Sequence, residues 1–135
     1  MSKKISISHA CIYVSSIKKA REFYDKIMKF LGFKIIDESK SHIGYGNDRA
    51  GIWLWQAKNK LRDKVRSRPS YDHIALRTDS RHDIDELQKL LKKNGFKILY
   101  PAEEHPELAP GYYSVSFFDP DGTTIELLYL PGPGN

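Results

Sequence analysis

The tetrapeptide Gly-Phe-Lys-Ile occurs twice in the 135 residues, at 32–35 and 95–98, and each copy closes an amphipathic stretch. Ahead of each lies a β-prone run carrying a histidine, His9 in the first and His73 in the second. The histidines are 64 residues apart and the two glycines 63, so the two halves align at offsets that differ by a single residue. Self-similarity at a fixed offset marks a duplicated supersecondary unit, and few folds are built that way.

In the first half, residues 5–14 alternate as a strand, with Ile5, Ile7, His9, Cys11 and Tyr13 on one side and Ala10, Ile12 and Val14 on the other. Ser15-Ser16 offers an N-cap. The spacing of Ile17, Ala20, Phe23, Tyr24, Ile27, Met28 and Leu31 predicts a helix that stops at Gly32. Short strands are expected at about 33–38, 42–46 and 51–57. In the second half, 71–78 reads as a strand and Asp79-Ser80 as a cap. Ile84, Leu87, Leu90 and Leu91 form the apolar stripe of a helix that ends at Asn94-Gly95. Residues 101–111 read as an extra loop. A hairpin then follows, with strands near 112–118 and 123–130 around Asp119-Pro120-Asp121-Gly122, where Pro120 fixes φ and Gly122 tolerates φ > 0. The fold class is therefore α+β, two βαβββ modules at about 4–58 and 70–131, within a single domain spanning 1–135. The charged, non-periodic stretch at about 59–69 is the linker.

The last strand carries one acidic residue, Glu126, in an otherwise apolar run. A buried carboxylate is costly unless it is paired, hydrogen-bonded or bound to a metal. Ile12 and Val14, or Ile74 and Leu76, should pack under the helices, which turns His9 and His73 to the opposite face. Ile125, Leu127 and Tyr129 form the helix-facing set of the last strand, leaving Glu126 on the face of the histidines. Two imidazoles and one carboxylate suit zinc, iron, manganese or nickel, and three protein ligands leave positions open for substrate or water. Aligning the final strands sets Trp53 against Glu126. Trp53 and Trp55 then line the site face as an indole wall for an apolar substrate. Arg77 shares parity with His73 and can pair with a substrate anion. Tyr113 is the candidate hydrogen-bond or proton donor, and a one-residue slip in parity would exchange it for Tyr112. Cys11 reads as a small buried apolar residue, His82 as helix surface and His105 as loop. Residues 103–107 read as a polar insertion able to cover the site.

Charge excludes little. The net +5 is spread over helix-like segments and the linker, so it reads as solvated faces rather than a nucleic-acid footprint, and it is compatible with an anionic small substrate. There is no apolar run of membrane-spanning length and no signal-peptide core. A single cysteine fits a reducing cytoplasm.

The run His9-Ala10-Cys11-Ile12-Tyr13-Val14, followed by Ala20-Arg21-Glu22-Phe23-Tyr24 and Leu31-Gly32-Phe33, resembles the vicinal oxygen chelate superfamily. So do Asp72-His73-Ile74-Ala75-Leu76 and Phe117-Phe118-Asp119-Pro120-Asp121-Gly122 with Ile125-Glu126-Leu127. That superfamily includes glyoxalase I, bleomycin-resistance proteins, fosfomycin-modifying enzymes and extradiol dioxygenases. The resemblance implies a curved mixed sheet around a central cleft, and by position it puts the metal ligands on His9, His73 and Glu126. It implies a metal-dependent lyase, thiol transferase or dioxygenase acting on a small oxygen-bearing substrate. Glu126 would be the catalytic carboxylate, able to act as a base only when it leaves the metal. Glyoxalase I carries a further ligating carboxylate where this chain has Trp53, which counts against lactoylglutathione lyase activity. The alternative is a metal-free protein that sequesters a small molecule or antibiotic, as bleomycin-resistance proteins do. Members of the family often pair as homodimers.

Overall fold

Both Gly-Phe-Lys-Ile copies do the same mechanical work. Helix α1 (Ile17–Phe30) and helix α2 (Arg81–Lys93) each end in a glycine in the left-handed region, Gly32 at φ 80° and Gly95 at φ 68°. Phe33 N–H donates back to Met28 O at 2.8 Å and Phe96 N–H to Leu91 O at 2.9 Å, while the two glycine N–H groups reach Lys29 O and Lys92 O. This is the Schellman arrangement, in which glycine supplies the left-handed turn and the following phenylalanine the hydrophobic contact. The repeat is thus a helix stop used twice.

The computed structural model describes residues 7–57 and 73–132, in two compact units divided at Arg62 and Asp63. The first holds β1 (His9–Val14), α1, β2 (Lys34–Glu38), β3 (His42–Gly46) and β4 (Gly51–Gln56) in a sheet ordered β1-β4-β3-β2. The second holds β5 (Ile74–Thr78), α2, β6 (Ile98–Glu104), β7 (Tyr113–Phe118) and β8 (Thr124–Tyr129), ordered β5-β8-β7-β6. β1 with β4 and β5 with β8 are parallel, and the other pairs are antiparallel. The two βαβββ modules are therefore mixed four-stranded sheets, each with one helix. The expected linker at 59–69 and the start of the second module before His73 lie outside the described residues.

Alternation decides which face is covered. In the first unit Ile12, Val14, Ile43, Tyr45, Ile52 and Leu54 are buried on the face that takes α1. Ser16 caps α1 by accepting from Lys19 N at 3.2 Å. In the second unit Val115, Phe117, Ile125 and Leu127 are buried with Ile84, Leu87 and Leu91 of α2. Ser80 begins α2 without a side-chain capping bond; Thr78 Oγ1 instead pairs with Asp83 and accepts from Ser80 N.

Residues 101–104, expected as loop, belong to strand β6. Pro101 can sit there because β6 is an edge strand whose register shifts between Ile98 and Tyr100 and again before Glu103. The freed Ala102 N–H donates to Gln88 Oε1 of α2 at 2.7 Å.

One buried phenol ties sheet to helix in the first unit. Tyr45 is 1% exposed, and its hydroxyl donates to Asp25 Oδ1 at 2.6 Å. Asp25 also pairs with Arg21, which reaches Glu38 at 2.9 Å. Burial first, then the bond to Asp25, pushes the Tyr45 hydroxyl far above the ordinary phenol range. A raised folded pKa stabilises the fold fully below the unfolded value of about 10, and that contribution is lost as pH rises beyond it. Tyr45→Phe should cost roughly 1–3 kcal/mol at pH 7 by urea unfolding. It should also flatten the decline in stability that the parent shows above pH about 10.

Candidate functional site

The parallel β5–β8 register sets Ala75 opposite Glu126, and His73 lies two residues before Ala75 on the same face. That alternation brings the His73 ring to the carboxylate: Nε2 stands 3.6 Å from Glu126 Oε1. Glu126 is 9% exposed, while the His73 side chain is 40% exposed. A third group completes the surroundings. Tyr112, just before β7, donates its hydroxyl to the same Oε1 at 3.0 Å. Burial first, then the bond to Glu126, holds the Tyr112 hydroxyl up at about 12, so at neutral pH it is a donor and not a base.

Tyr113, expected to face the site, lies on the helix side. Its parity is that of Val115 and Phe117, so its hydroxyl reaches Asp85 Oδ1 of α2 at 2.5 Å, and the Arg81 guanidinium covers its ring at 3.8 Å. Tyr112 takes the place beside Glu126. Arg77 does share the face of His73, but its guanidinium donates to Leu130 O at 2.9 Å and so ties down the end of the chain after β8. His105 accompanies Tyr112: its ring lies edge-on at 6.0 Å, and Nδ1 is 3.1 Å from Glu107 Oε1. His82 is on the exposed surface of α2.

The first unit repeats the register with different chemistry. Cys11 pairs with Trp53 as Ala75 pairs with Glu126, so the indole stands where the second unit has its carboxylate. Gly44, opposite Trp53, gives the ring its seat: a Cβ there would come within 2.8 Å of the indole carbons. His42 joins the same face, 5.9 Å from Trp53 and 4.7 Å from Trp55 by ring centroids. Asp37 and Ser39 hold its two nitrogens at 2.9 Å each. Alternation alone would have placed His42 on this face, because it pairs with Trp55 across β3–β4. What sequence could not show is the clasp by Asp37 and Ser39 from the preceding strand and turn. His9 is exposed, with Nδ1 3.1 Å from Ser8 Oγ. Cys11, expected to be buried, is exposed, because its side of β1 is the one without a helix.

The structure thus brings His73 and Glu126 together, adds Tyr112, and places His9 with Trp53 and Trp55 on the site face of the first unit. Among the described residues no group of three or more His, Cys, Asp or Glu is gathered for a metal ion. The His73–Glu126 pair does fit one cation. Two donors on a tetrahedral ion at about 2.0–2.2 Å lie about 3.4 Å apart, close to the spacing found.

The profile of the Glyoxalase/Bleomycin resistance protein/Dioxygenase superfamily matches residues 6–127. The uncharacterised protein YqjT of Bacillus subtilis is 30% identical over 123 residues, covering 89% of this chain and 95% of that protein. The metallothiol transferase FosB of Staphylococcus saprophyticus is 34% identical over 124 residues, covering 90% of this chain and 75% of that protein. Among solved structures, a glyoxalase-related enzyme from Fulvimarina pelagi shares the fold with a TM-score of 0.71 at 21% identity, over 93% of this chain and 88% of that one.

The seat of Trp53 is open to test. Gly44→Ala should drive the indole from its place, change the near-ultraviolet circular dichroism of the tryptophans and cost about 1–3 kcal/mol of stability. Gly51→Ala, where an added Cβ meets nothing closer than 3.4 Å, should leave both nearly unchanged.

Proposed function

The chain belongs to the Glyoxalase/Bleomycin resistance protein/Dioxygenase superfamily, and on that footing we propose that it is a metal-dependent enzyme acting on a small oxygen-bearing substrate. The observation that carries the reading is the buried Glu126 carboxylate beside His73 Nε2, with Tyr112 bonded to it. His73 and Glu126 would hold a divalent ion, zinc, nickel, manganese or iron. When bound, such an ion polarises adjacent substrate oxygens and offsets negative charge that develops on them.

The side chains of each unit have separable tasks. His73 offers Nε2 from a half-exposed position at the start of β5. Glu126 offers a carboxylate whose Oε1 is already oriented by the Tyr112 hydroxyl. That orientation is the kind of outer contact that tunes ligand basicity and affinity. On the first unit Trp53 and Trp55, with His42 tilted to both, supply an aromatic face that suits a ligand with an apolar part. Thiol transfer is the reaction class we favour, because a metallothiol transferase is 34% identical over nearly the whole chain. Trp53 in the place of a ligating carboxylate argues against the lactoylglutathione lyase reaction.

The aromatic face supports a second reading, a metal-free binder of a planar small molecule, since Trp55 is 39% exposed and lies against the His42 ring, tilted 35° to it. We place the protein in the cytoplasm on its single unpaired cysteine. Among the described residues no helix is long and apolar enough to cross a membrane. Pairing as a homodimer belongs to the same proposal.

Elemental analysis of the untagged protein tests the enzyme reading. We expect one divalent metal per chain, lost in His73→Ala. Tyr112→Phe should keep the site but weaken it by about ten- to a hundredfold. Absence of metal in the parent after reconstitution with zinc, nickel, manganese and iron would overturn the reading and leave the binder.

A further inference from the structure

At the end of the first sheet where His9 lies, the turn between β3 and β4 borders an open recess of about 300 Å³. That volume is at the lower bound for small-ligand sites. Its floor lacks side chains because Gly46 and Gly51 pair with each other and His9 pairs with Gly51. A Cβ at Gly51 would stand 3.4 Å from His9 Cβ and 3.5 Å from Trp53 Nε1, so the imidazole and the indole N–H flank the same gap. Arg49 and Asp48 of the turn complete the border. Among the described residues Arg49 has no carboxylate partner within ion-pair distance, and the indole N–H of Trp53 has no acceptor.

We propose that this recess, within the first unit alone, binds the anionic group of a small ligand, with Arg49 as the charge partner and the Trp53 indole N–H as a hydrogen-bond donor. Arginine is suited to the task because its planar fork matches carboxylate and phosphate oxygens two at a time. The geometry also separates the roles of the two arginines considered for an anion. Arg77 spends its guanidinium on backbone carbonyls after β8, whereas Arg49 borders the recess that His9 and Trp53 share. A ligand seated on the glycine floor would have its charged end at the turn and its body along the indole, beside His9. Asp48 borders the recess too, so it works against an anion and favours a cation.

The probes are benzoate and phenyl phosphate as the two kinds of anion, with benzamide and benzylamine as neutral and cationic counterparts. Binding is read from the indole N–H resonance of Trp53 in the full chain, assigned with Trp53→Phe. We expect a saturable shift with at least one anion and none with benzamide over the same range; the stronger anion identifies a carboxylate or a phosphate as the group recognised. Arg49→Gln, an exposed turn substitution, should weaken that anion at least tenfold, and Asp48→Asn should leave it unchanged or tighten it. An unchanged affinity in Arg49→Gln, an equal response to benzamide, a preference for benzylamine, or no saturation with either anion would overturn the proposal. Metal content measured on the same samples keeps the two readings apart. Arg49→Gln should retain the metal of the parent, while a parent without metal but with an Arg49-dependent anion response would sink the enzyme reading alone.

Discussion

The cost of burying one carboxylate shapes the second unit. Glu126 sits on a strand whose neighbours are apolar, at 9% exposure, and an unpaired charge in such a place would be destabilising by several kcal/mol. Its two partners come from different elements: Tyr112 from the segment ahead of β7 and His73 from the edge of β5. They converge because β8 lies between β5 and β7, and because the parallel register fixes which residue of β5 faces which residue of β8. A slip of one residue would turn Glu126 into the α2 packing layer and Leu127 out of it. The apolar core and the polar site are thus specified by the same alternation.

The first unit uses an identical frame for another end. Its counterpart of Glu126 is Trp53, which takes the room that Gly44 leaves vacant, and its sheet face gains His42 through Asp37 and Ser39. Duplication has kept the scaffold, down to the same glycine-led helix stop, while the two faces have diverged into a polar pair and an aromatic wall. The helices tolerate that divergence because they cover only the opposite faces of the sheets.

Much of this was legible in residues alone. The offset between His9 and His73, and between Gly32 and Gly95, reveals the duplicated βαβββ unit before any coordinates, since strand and helix periods are local properties. The same alternation placed Glu126 and His73 on one face. It failed where phase is set by contacts distant in sequence. Tyr112 and Tyr113 are adjacent, and only pairing with β8 shows which of them faces Glu126. Pro101 looks like a strand breaker, yet an edge position with bulges absorbs it. Cys11 looks like core by composition and is exposed, because burial depends on which face the helix covers. Arg77 was placed on the correct face, but its hydrogen bonds to the backbone after Tyr129 need three dimensions to be seen.

His73 and Glu126 are either paired to bind a metal ion, as proposed above, or paired only to satisfy a buried carboxylate. Anomalous diffraction from a crystal of the full chain loaded with zinc tests this most directly. Metal binding by the pair gives a single strong peak about 2.0–2.2 Å from both His73 Nε2 and a Glu126 oxygen, with the Tyr112 hydroxyl still on the carboxylate. A map with no peak there, or with zinc only at surface histidines such as His82, would contradict it and leave the pair a structural contact.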